Sequence, residues 1–479
     1  MTASAPVPLT PGDELARLFE LQRAHRWTYA RTTAEERVER LDRLERAILA
    51  HKDALCAAMQ ADFRKHPVEV ELTEIAPTLA ELRHARRMLR KWMRPRPVGT
   101  PVALLGMSAH LQYEPRGQVL VLAPWNYPIQ LLLAPMVAAL AAGNVVMARP
   151  SEKVPRTAEA LRALVASALD EREAAVVTGD IPVADALLEF PYDHVFFTGS
   201  TRVGRKVMEK AAVHLASVTL ELGGKSPVVV HASADVEKTA ARVAWGKFLN
   251  GGQTCVAPDY VLVPRALERP LLDALGAAIR RSYGETPEAI RASPDFCRMV
   301  DDGAFRRLST LLDAGVAAGA TVVHGGQRDA AERYLAPTVL AGVGWDSPLM
   351  ADELFGPLLP VVAYDSLDEA LARVRARPKP LALYVFAEDG AASDHVLRNT
   401  TAGGSLVNNT ILHLAHPELP FGGVNSSGLG SYHGEAGFKC MSHERSVLRH
   451  RFGDLISRVY PPYGDRARQM LGLMQKLMG

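Results

Sequence analysis

The sequence is poor in cysteine. Its four, Cys56, Cys255, Cys297 and Cys440, are spread over 479 residues. No two stand at the spacing of a metal knuckle or a redox motif, and four cannot frame so long a chain with disulfides. Free thiols suit a reducing compartment, so the expected location is the cytoplasm. An excess of one charge is also missing: 55 Lys and Arg face 53 Asp and Glu, a formal net charge of +2. With no basic stripe interleaved with aromatics, nucleic-acid binding is not expected. The opening MTASAPVPLTPGDE has neither a positive end nor an apolar run, and does not read as a signal peptide. His413, His416 and His433 lack acid or thiol neighbours at ligand spacing, so no metal is expected.

One long uncharged run exists. Residues 128–148, PIQLLLAPMVAALAAGNVVMA, are numerous enough to cross a bilayer. Pro135, Gly143 and Asn144 interrupt them, and a buried helix over 129–142 followed by a strand over 144–148 gives the same hydropathy. The tail, 451–479, holds a short amphipathic helix with Met470, Leu473, Met474, Leu477 and Met478 on one face. Such a face more commonly docks on the protein's own surface than in a membrane, so no stable anchor is expected.

What is present is globular: 48% hydrophobic and 23% charged residues, in a chain long enough for two or three domains. Apolar spacing predicts helices over 13–29, 34–60 and 70–92, ended by the prolines of RPRPVGTPV. Residues 103–115 read as an extended arm. Four strand–helix units follow, with strands near 119–124, 144–150, 174–179 and 194–200. Uniformly apolar strands with helices between them imply a mostly parallel sheet covered on both faces. A second α/β region begins near Lys225, with strands over 226–231, 260–264, 320–325 and 358–364. The Gly- and Asn-rich segment 402–430 reads as turns around a site.

Ligands of such sheets bind beyond the carboxyl ends of the strands, which directs attention to the polar residues there. Cys255 lies in NGGQTCVAPDY, a glycine-shaped turn whose N–H groups could lower a thiol pKa or hold an oxyanion. The same context also suits a buried loop cysteine. Glu221 ends the apolar strand VTLEL; burial would raise its pKa toward that of a general base, while a plain strand-end charge reads equally simply. Asn126, in APWNYP, offers an amide donor or merely a turn. Gly199 and Gly204, in TGSTRVG, permit a close approach by a phosphate or by a neighbouring element.

Taken together and in order, these segments resemble the aldehyde dehydrogenase superfamily, from about residue 13 to 450. GQTC resembles the nucleophile motif and gives Cys255, LELGGK the base motif and gives Glu221, and PWNYP gives Asn126 as oxyanion donor. The resemblance implies a dinucleotide site built from Trp125, Arg149, Ser151, Glu152, Gly199, Ser200, Gly204, Glu353 and Phe355, with Glu152 at the adenosine ribose and Glu353 at the nicotinamide ribose. It implies NAD as cofactor, with NADP open, and Tyr127 and Asn409 along the substrate channel. LPFGGVNSSGLGSYHGEAGF with MSHER resembles the class-3-like branch of fatty, aromatic and coniferyl aldehyde dehydrogenases, which implies a homodimer. The implied architecture is a Rossmann-type cofactor domain (1–96 and 116–223), an α/β catalytic domain (224–430), an oligomerisation arm (97–115 and 431–447) and a tail (448–479). The chemistry implied is oxidation of an aldehyde, aromatic, cinnamyl or medium to long aliphatic, to its acid through a cysteine thiohemiacetal and thioester. Transfer to coenzyme A is the alternative within the enzyme class, and the glutamate at 221 argues for hydrolysis; a non-catalytic protein on the same scaffold would be expected to lack Cys255, Glu221 or Asn126. Three positions depart from the family pattern: Arg149 replaces a usual Lys, Asn409 a usual Asp, and Asn425 a frequent Gly.

Overall fold

The computed structural model describes residues 11–453 and 456–478. Two mostly parallel sheets carry the molecule. The first is six-stranded, in the order Gly428–Leu429, Ser217–Glu221, His194–Thr198, Gln118–Leu122, Val145–Arg149, Ala174–Val176, parallel except for its first strand. The second is seven-stranded: Thr321–His324, Thr338–Ala341, Leu358–Tyr364, Tyr260–Pro264, Pro227–Val230, Ala382–Phe386, Gly404–Val407. The α/β class, with a Rossmann-type sheet and a second α/β unit, is thus the one expected. The central strands are buried along their whole length, as helices on both faces require.

The uncharged run resolves into helix Pro128–Ala142, buried apart from Gln130, and strand Val145–Arg149. Gly143 joins them at φ 95°, and a Cβ there would strike the Arg37 guanidinium. Among the described residues no helix is long and apolar enough to cross a membrane.

The N-terminal helices differ from expectation in two places. The stretch 34–60 is two helices, Ala34–Ala50 and Lys52–Phe63, because His51 leaves helical geometry at ψ 5°. The first starts in a capping box, with Thr33 and Glu36 satisfying each other's backbone N–H. The third helix starts at Pro67, passes through a π-turn at Glu71–Ile75, and continues as Ala76–Trp92.

A third, antiparallel sheet joins Arg96–Val98, Met107–Pro115 and Ser442–His450. Its last strand runs past 447, while helix Gly434–Cys440, within the segment expected for the arm, packs on helices Pro128–Ala142 and Ala76–Trp92. In the tail, helix Asp465–Met478 meets the turn Val102–Leu104, so it docks on the chain itself, yet Leu471 and Leu473 stay exposed. The side chains of Leu477 and Met478 lie outside the described residues.

Candidate active site

After helix Val236–Phe248 the chain turns through Asn250, Gly251 and Gly252 at φ 54°, 60° and 75°. Three consecutive left-handed residues favour asparagine and glycine over other side chains, and a Cβ on Gly252 would run into the Gly356 carbonyl. Gln253 then pins the loop. Its Nε2 donates to the carbonyls of Asn250 (3.0 Å) and Arg298 (3.1 Å), and its Oε1 accepts from the Val300 N–H (3.0 Å). Cys255 emerges from this loop half-buried, at the wall of a cavity of about 190 Å³. Burial pushes its thiol up to about 12, and the charges of Glu353 and Glu221 add to the rise.

Glu221 ends its strand between Thr198 and Gly428. Both its carboxyl oxygens are buried without a hydrogen-bond partner. Burial holds this carboxyl well above the ordinary range. Asn126 is also buried, and its Nδ2 donates to the Gln253 carbonyl at 3.1 Å. The Asn250 Nδ2 closes the joint by donating to the Asn126 and Gln253 carbonyls (3.0 and 3.1 Å). Donor loop and thiol loop are therefore bolted together. One hydrogen of the Asn126 amide is spent on that joint and the other remains for a ligand.

The cavity before Cys255 is almost wholly apolar, with Leu72, Trp245, Ile411 and Phe421 among its walls. Tyr127 lines it, its hydroxyl 2.7 Å from Thr254 Oγ1. Asn409 does not; its Oδ1 accepts from the Thr410 N–H, and Ile411 and Leu412 form that wall instead. His433 is part of the wall, and burial pushes its imidazole down to about 4.

The residues expected to hold the adenosine and diphosphate end lie at or just beyond the carboxyl ends of the first sheet. Ser200 caps helix Thr201–Val213, accepting from the Val203 N–H. A Cβ on Gly204 would approach Leu222 to 2.6 Å, so this glycine serves close helix–strand packing. Arg149 Nη2 donates to Glu152 (2.9 Å) and to the Gly179 carbonyl (2.6 Å), and Ser151 Oγ donates to Glu152 (3.3 Å). Burial raises the Glu152 carboxyl, but its own backbone N–H and Arg149 outweigh that and hold it below its ordinary value. Glu353 accepts from the Gly224 N–H; burial, then Asp259, push it up to about 8. Trp125 meets Phe355 edge-on at 5.4 Å.

These residues fit a nicotinamide dinucleotide. Thr198 Oγ1 and Arg149 Nε are buried polar atoms without partners at two of the strand ends. The capped start of helix Thr201–Val213 offers free N–H groups to a diphosphate. Gly223 leaves a gap that a Cβ would close against the Glu353 carboxylate.

Sequence reasoning missed the supports. Lys225 Nζ donates to Asp259 Oδ2 (2.5 Å) and to the carbonyls of Leu349 and Asp352, while Asp259 Oδ1 accepts from the Leu354 N–H, so this pair holds the loop of Glu353. The signal was available: Lys225 directly follows LELGG and Asp259 sits four residues past Cys255. Lys247 is fully buried with its Nζ unpartnered, and burial pushes it down to about 8.

A family model described as the aldehyde dehydrogenase family matches residues 7–447. The chain belongs to the aldehyde dehydrogenase family. A Staphylococcus aureus 4,4'-diaponeurosporen-aldehyde dehydrogenase is 42% identical over 428 residues, covering 89% of this chain and 92% of the relative. Human aldehyde dehydrogenase family 3 member B1 is 42% identical over 470 residues, 98% of each chain. Among solved structures, the substrate-bound state of Staphylococcus aureus AldH superposes with a TM-score of 0.90 at 38% identity, covering 96% of this chain and 99% of that one. The NAD+ complex of a Bacillus cereus aldehyde dehydrogenase gives 0.84 at 26% identity, with 92% and 89% covered. This aldehyde dehydrogenase falls in the class-3-like branch, and its reaction is the NAD(P)-dependent oxidation of an aldehyde to a carboxylic acid without acyl transfer to coenzyme A.

Proposed function

We propose that this aldehyde dehydrogenase acts on apolar aldehydes (aromatic, cinnamyl or medium to long aliphatic) through Cys255, Asn126 and Glu221. The observation that carries the reading is an apolar cavity whose wall includes the thiol of Cys255, with the amide of Asn126 bolted to the Cys255 loop and the unpartnered carboxyl of Glu221 bearing on the same thiol. An apolar wall rewards apolar area and discriminates weakly between chain lengths, which favours a range of substrates. The staphylococcal relative named for 4,4'-diaponeurosporen-aldehyde supports an apolar substrate class.

In the proposed reaction the Cys255 thiolate attacks the carbonyl carbon. The free Nδ2 hydrogen of Asn126 and the Cys255 N–H hold the oxygen as it becomes negative. A bound dinucleotide supplies the hydride acceptor that the side chains lack, and the adduct on Cys255 is left at the oxidation level of a thioester. Glu221 takes a proton from water, which releases the acid and restores the thiol. Arg149, Ser151, Glu152, Gly199, Ser200 and Gly204 would hold the adenosine and diphosphate end. Glu353, Phe355 and Trp125 would hold the nicotinamide end, and the Glu152 carboxylate favours NAD over a 2′-phosphate.

The chain forms a homodimer in this reading. Strand Ser442–His450 leaves one edge of the small sheet open with Leu448 exposed on it, and Val98 is exposed on the opposite edge strand. The four free thiols favour the cytoplasm, and the two large sheets with the small three-stranded one favour the division into cofactor domain, catalytic domain and arm at the boundaries given above. The test is a panel of benzaldehyde, cinnamaldehyde, hexanal and decanal with NAD+ and NADP+, without coenzyme A, with the acid identified by mass spectrometry. Acid from the apolar aldehydes, lost in Cys255→Ser, is the expected result. Activity confined to small polar aldehydes, or normal turnover by Cys255→Ser, would sink the proposal.

A further inference from the structure

Behind the nucleophile loop lies a charged cluster that none of these roles uses. The side chains of Lys65 and Glu74 have no solvent exposure, and Lys65 Nζ sits 2.8 Å from Glu74 Oε1. Glu69 is a second carboxyl beside them; burial raises it and Lys65 draws it back. Glu69 and Glu74 are five residues apart, which would set them on different faces of a regular α-helix. The π-turn Glu71–Ile75 changes that register, with the Ala76 N–H reaching back five residues to the Glu71 carbonyl.

Each member of the cluster reaches a different part of the site. Glu74 Oε2 accepts from the Ile129 N–H at 2.8 Å, at the start of the helix that follows Asn126 and Tyr127. Lys65 Nζ stands 4.0 Å from the centroid of the Tyr127 ring, whose hydroxyl meets Thr254, the neighbour of Cys255. Glu69 Oε1 accepts from the Asn250 N–H at 2.8 Å, and the Asn250 amide in turn joins Asn126 to Gln253. A buried ion pair is often no more stable than well-packed apolar residues of the same volume, so stability alone does not account for this cluster. Its bonds are directional, and they grip the oxyanion turn and the thiol loop from one point.

We infer that Lys65, Glu69 and Glu74 form a positioning clamp that fixes the Asn126 amide against the Cys255 loop, setting oxyanion stabilisation without touching the substrate. This rests on the roles proposed above for Asn126 and Cys255. The clamp acts through Asn126, so its loss should add little once that amide is gone.

The experiment is a double-mutant cycle read by the pre-steady-state NADH burst of the full-length enzyme with hexanal. Lys65→Met alone strands the wholly buried Glu74 carboxylate and tests mainly folding. Lys65→Met with Glu74→Gln removes the charge pair yet keeps an acceptor for the Ile129 N–H. This variant should melt close to wild type and keep its NADH affinity and the aldehyde Kd read from the concentration dependence of the burst, but slow the burst by about 30-fold, a fraction of the full loss of an oxyanion donor. In the Asn126→Ala background the same pair should cost less than about threefold, since residues acting as one unit are not additive. Lys65→Arg, which keeps the charge, provides the second arm: it should burst faster than the double variant but slower than wild type. A double variant that folds with a burst within about threefold of wild type would overturn the clamp, as would multiplicative losses with Asn126→Ala. Should the double variant not fold, Lys65→Arg decides alone, a wild-type burst counting against the clamp. If Asn126→Ala itself left the burst unchanged, the oxyanion assignment would fall and the clamp with it, an outcome distinct from both.

Discussion

Asn126→Ala separates chemistry from folding because the structure limits what else the change removes. The side chain makes one hydrogen bond, from Nδ2 to the Gln253 carbonyl. That carbonyl keeps a second donor, Asn250 Nδ2 at 3.1 Å, and the bond from Asn250 to the Asn126 backbone carbonyl is untouched. No buried acceptor is orphaned, so the stability cost should stay near that of one hydrogen bond, about 1 kcal/mol. The catalytic cost is larger, because the free hydrogen of the same amide is one of the two proposed oxyanion donors. Removing one such donor costs about 10²–10³ in rate, or about 3–4 kcal/mol. The burst of NADH on mixing enzyme, aldehyde and dinucleotide reads the step, and calorimetry reads the fold. The expected pattern is a burst slowed by at least about 10² with a melting temperature only slightly lower and an unchanged affinity for NADH. A burst within about threefold of wild type, or a melting temperature that collapses along with the rate, would refute the assignment.

Glu221→Gln should leave the burst and abolish steady turnover by about 10²–10⁴, since only the hydrolytic step is proposed to need the base. Because burial raises the Glu221 pKa and only its ionised form accepts a proton, wild-type hydrolysis should climb as pH rises toward and through that raised value, a climb absent from Glu221→Gln. The same substitution removes a negative charge acting on Cys255, so alkylation by iodoacetamide should shift to lower pH. Gly223→Ala drives a Cβ into Glu353, and turnover should fall by up to about 10² through displacement of the nicotinamide end, with the fold intact by circular dichroism. Arg149→Met frees Glu152 from its cation, and binding of NADP+ should weaken roughly tenfold more than that of NAD+, the order of one charge-assisted hydrogen bond, by fluorescence titration.

Much of the fold was legible because the parallel strands are buried on both faces and read as unbroken apolar runs. Gln118–Leu122, Val145–Arg149, Tyr260–Pro264 and Leu358–Tyr364 all stand out in this way. Ala382–Phe386 is as apolar and lies inside the second sheet, but it starts two residues after PKP, a turn signal that obscures a strand this short. Gly404–Val407 was masked for a different reason: it is a half-exposed edge strand that opens on glycine. At the site, motif residues declared themselves through glycines and prolines that allow few alternatives. Lys65, Glu69 and Glu74 did not, because in sequence they are charges among the many that line amphipathic helices. Only the π-turn and the packing of the oxyanion turn against it reveal that two of them are wholly buried.

The resting site also dictates an order of events. Burial raises both the Cys255 thiol and the Glu221 carboxyl, and an ionised Glu221 raises the thiol further, so sulfur takes up charge most readily while that carboxyl is protonated. In the proposed reaction, attack on the aldehyde needs the charge on sulfur and hydrolysis needs it on Glu221. Once Cys255 is acylated its sulfur no longer titrates, so ionisation of Glu221 no longer works against the nucleophile. The consequence is measurable. The apparent pKa of the NADH burst should be lower in Glu221→Gln than in wild type, since the burst then follows sulfur ionisation without the opposing carboxylate. Equal values in the two enzymes would show that Glu221 does not act on Cys255, and this order of events would have to be abandoned.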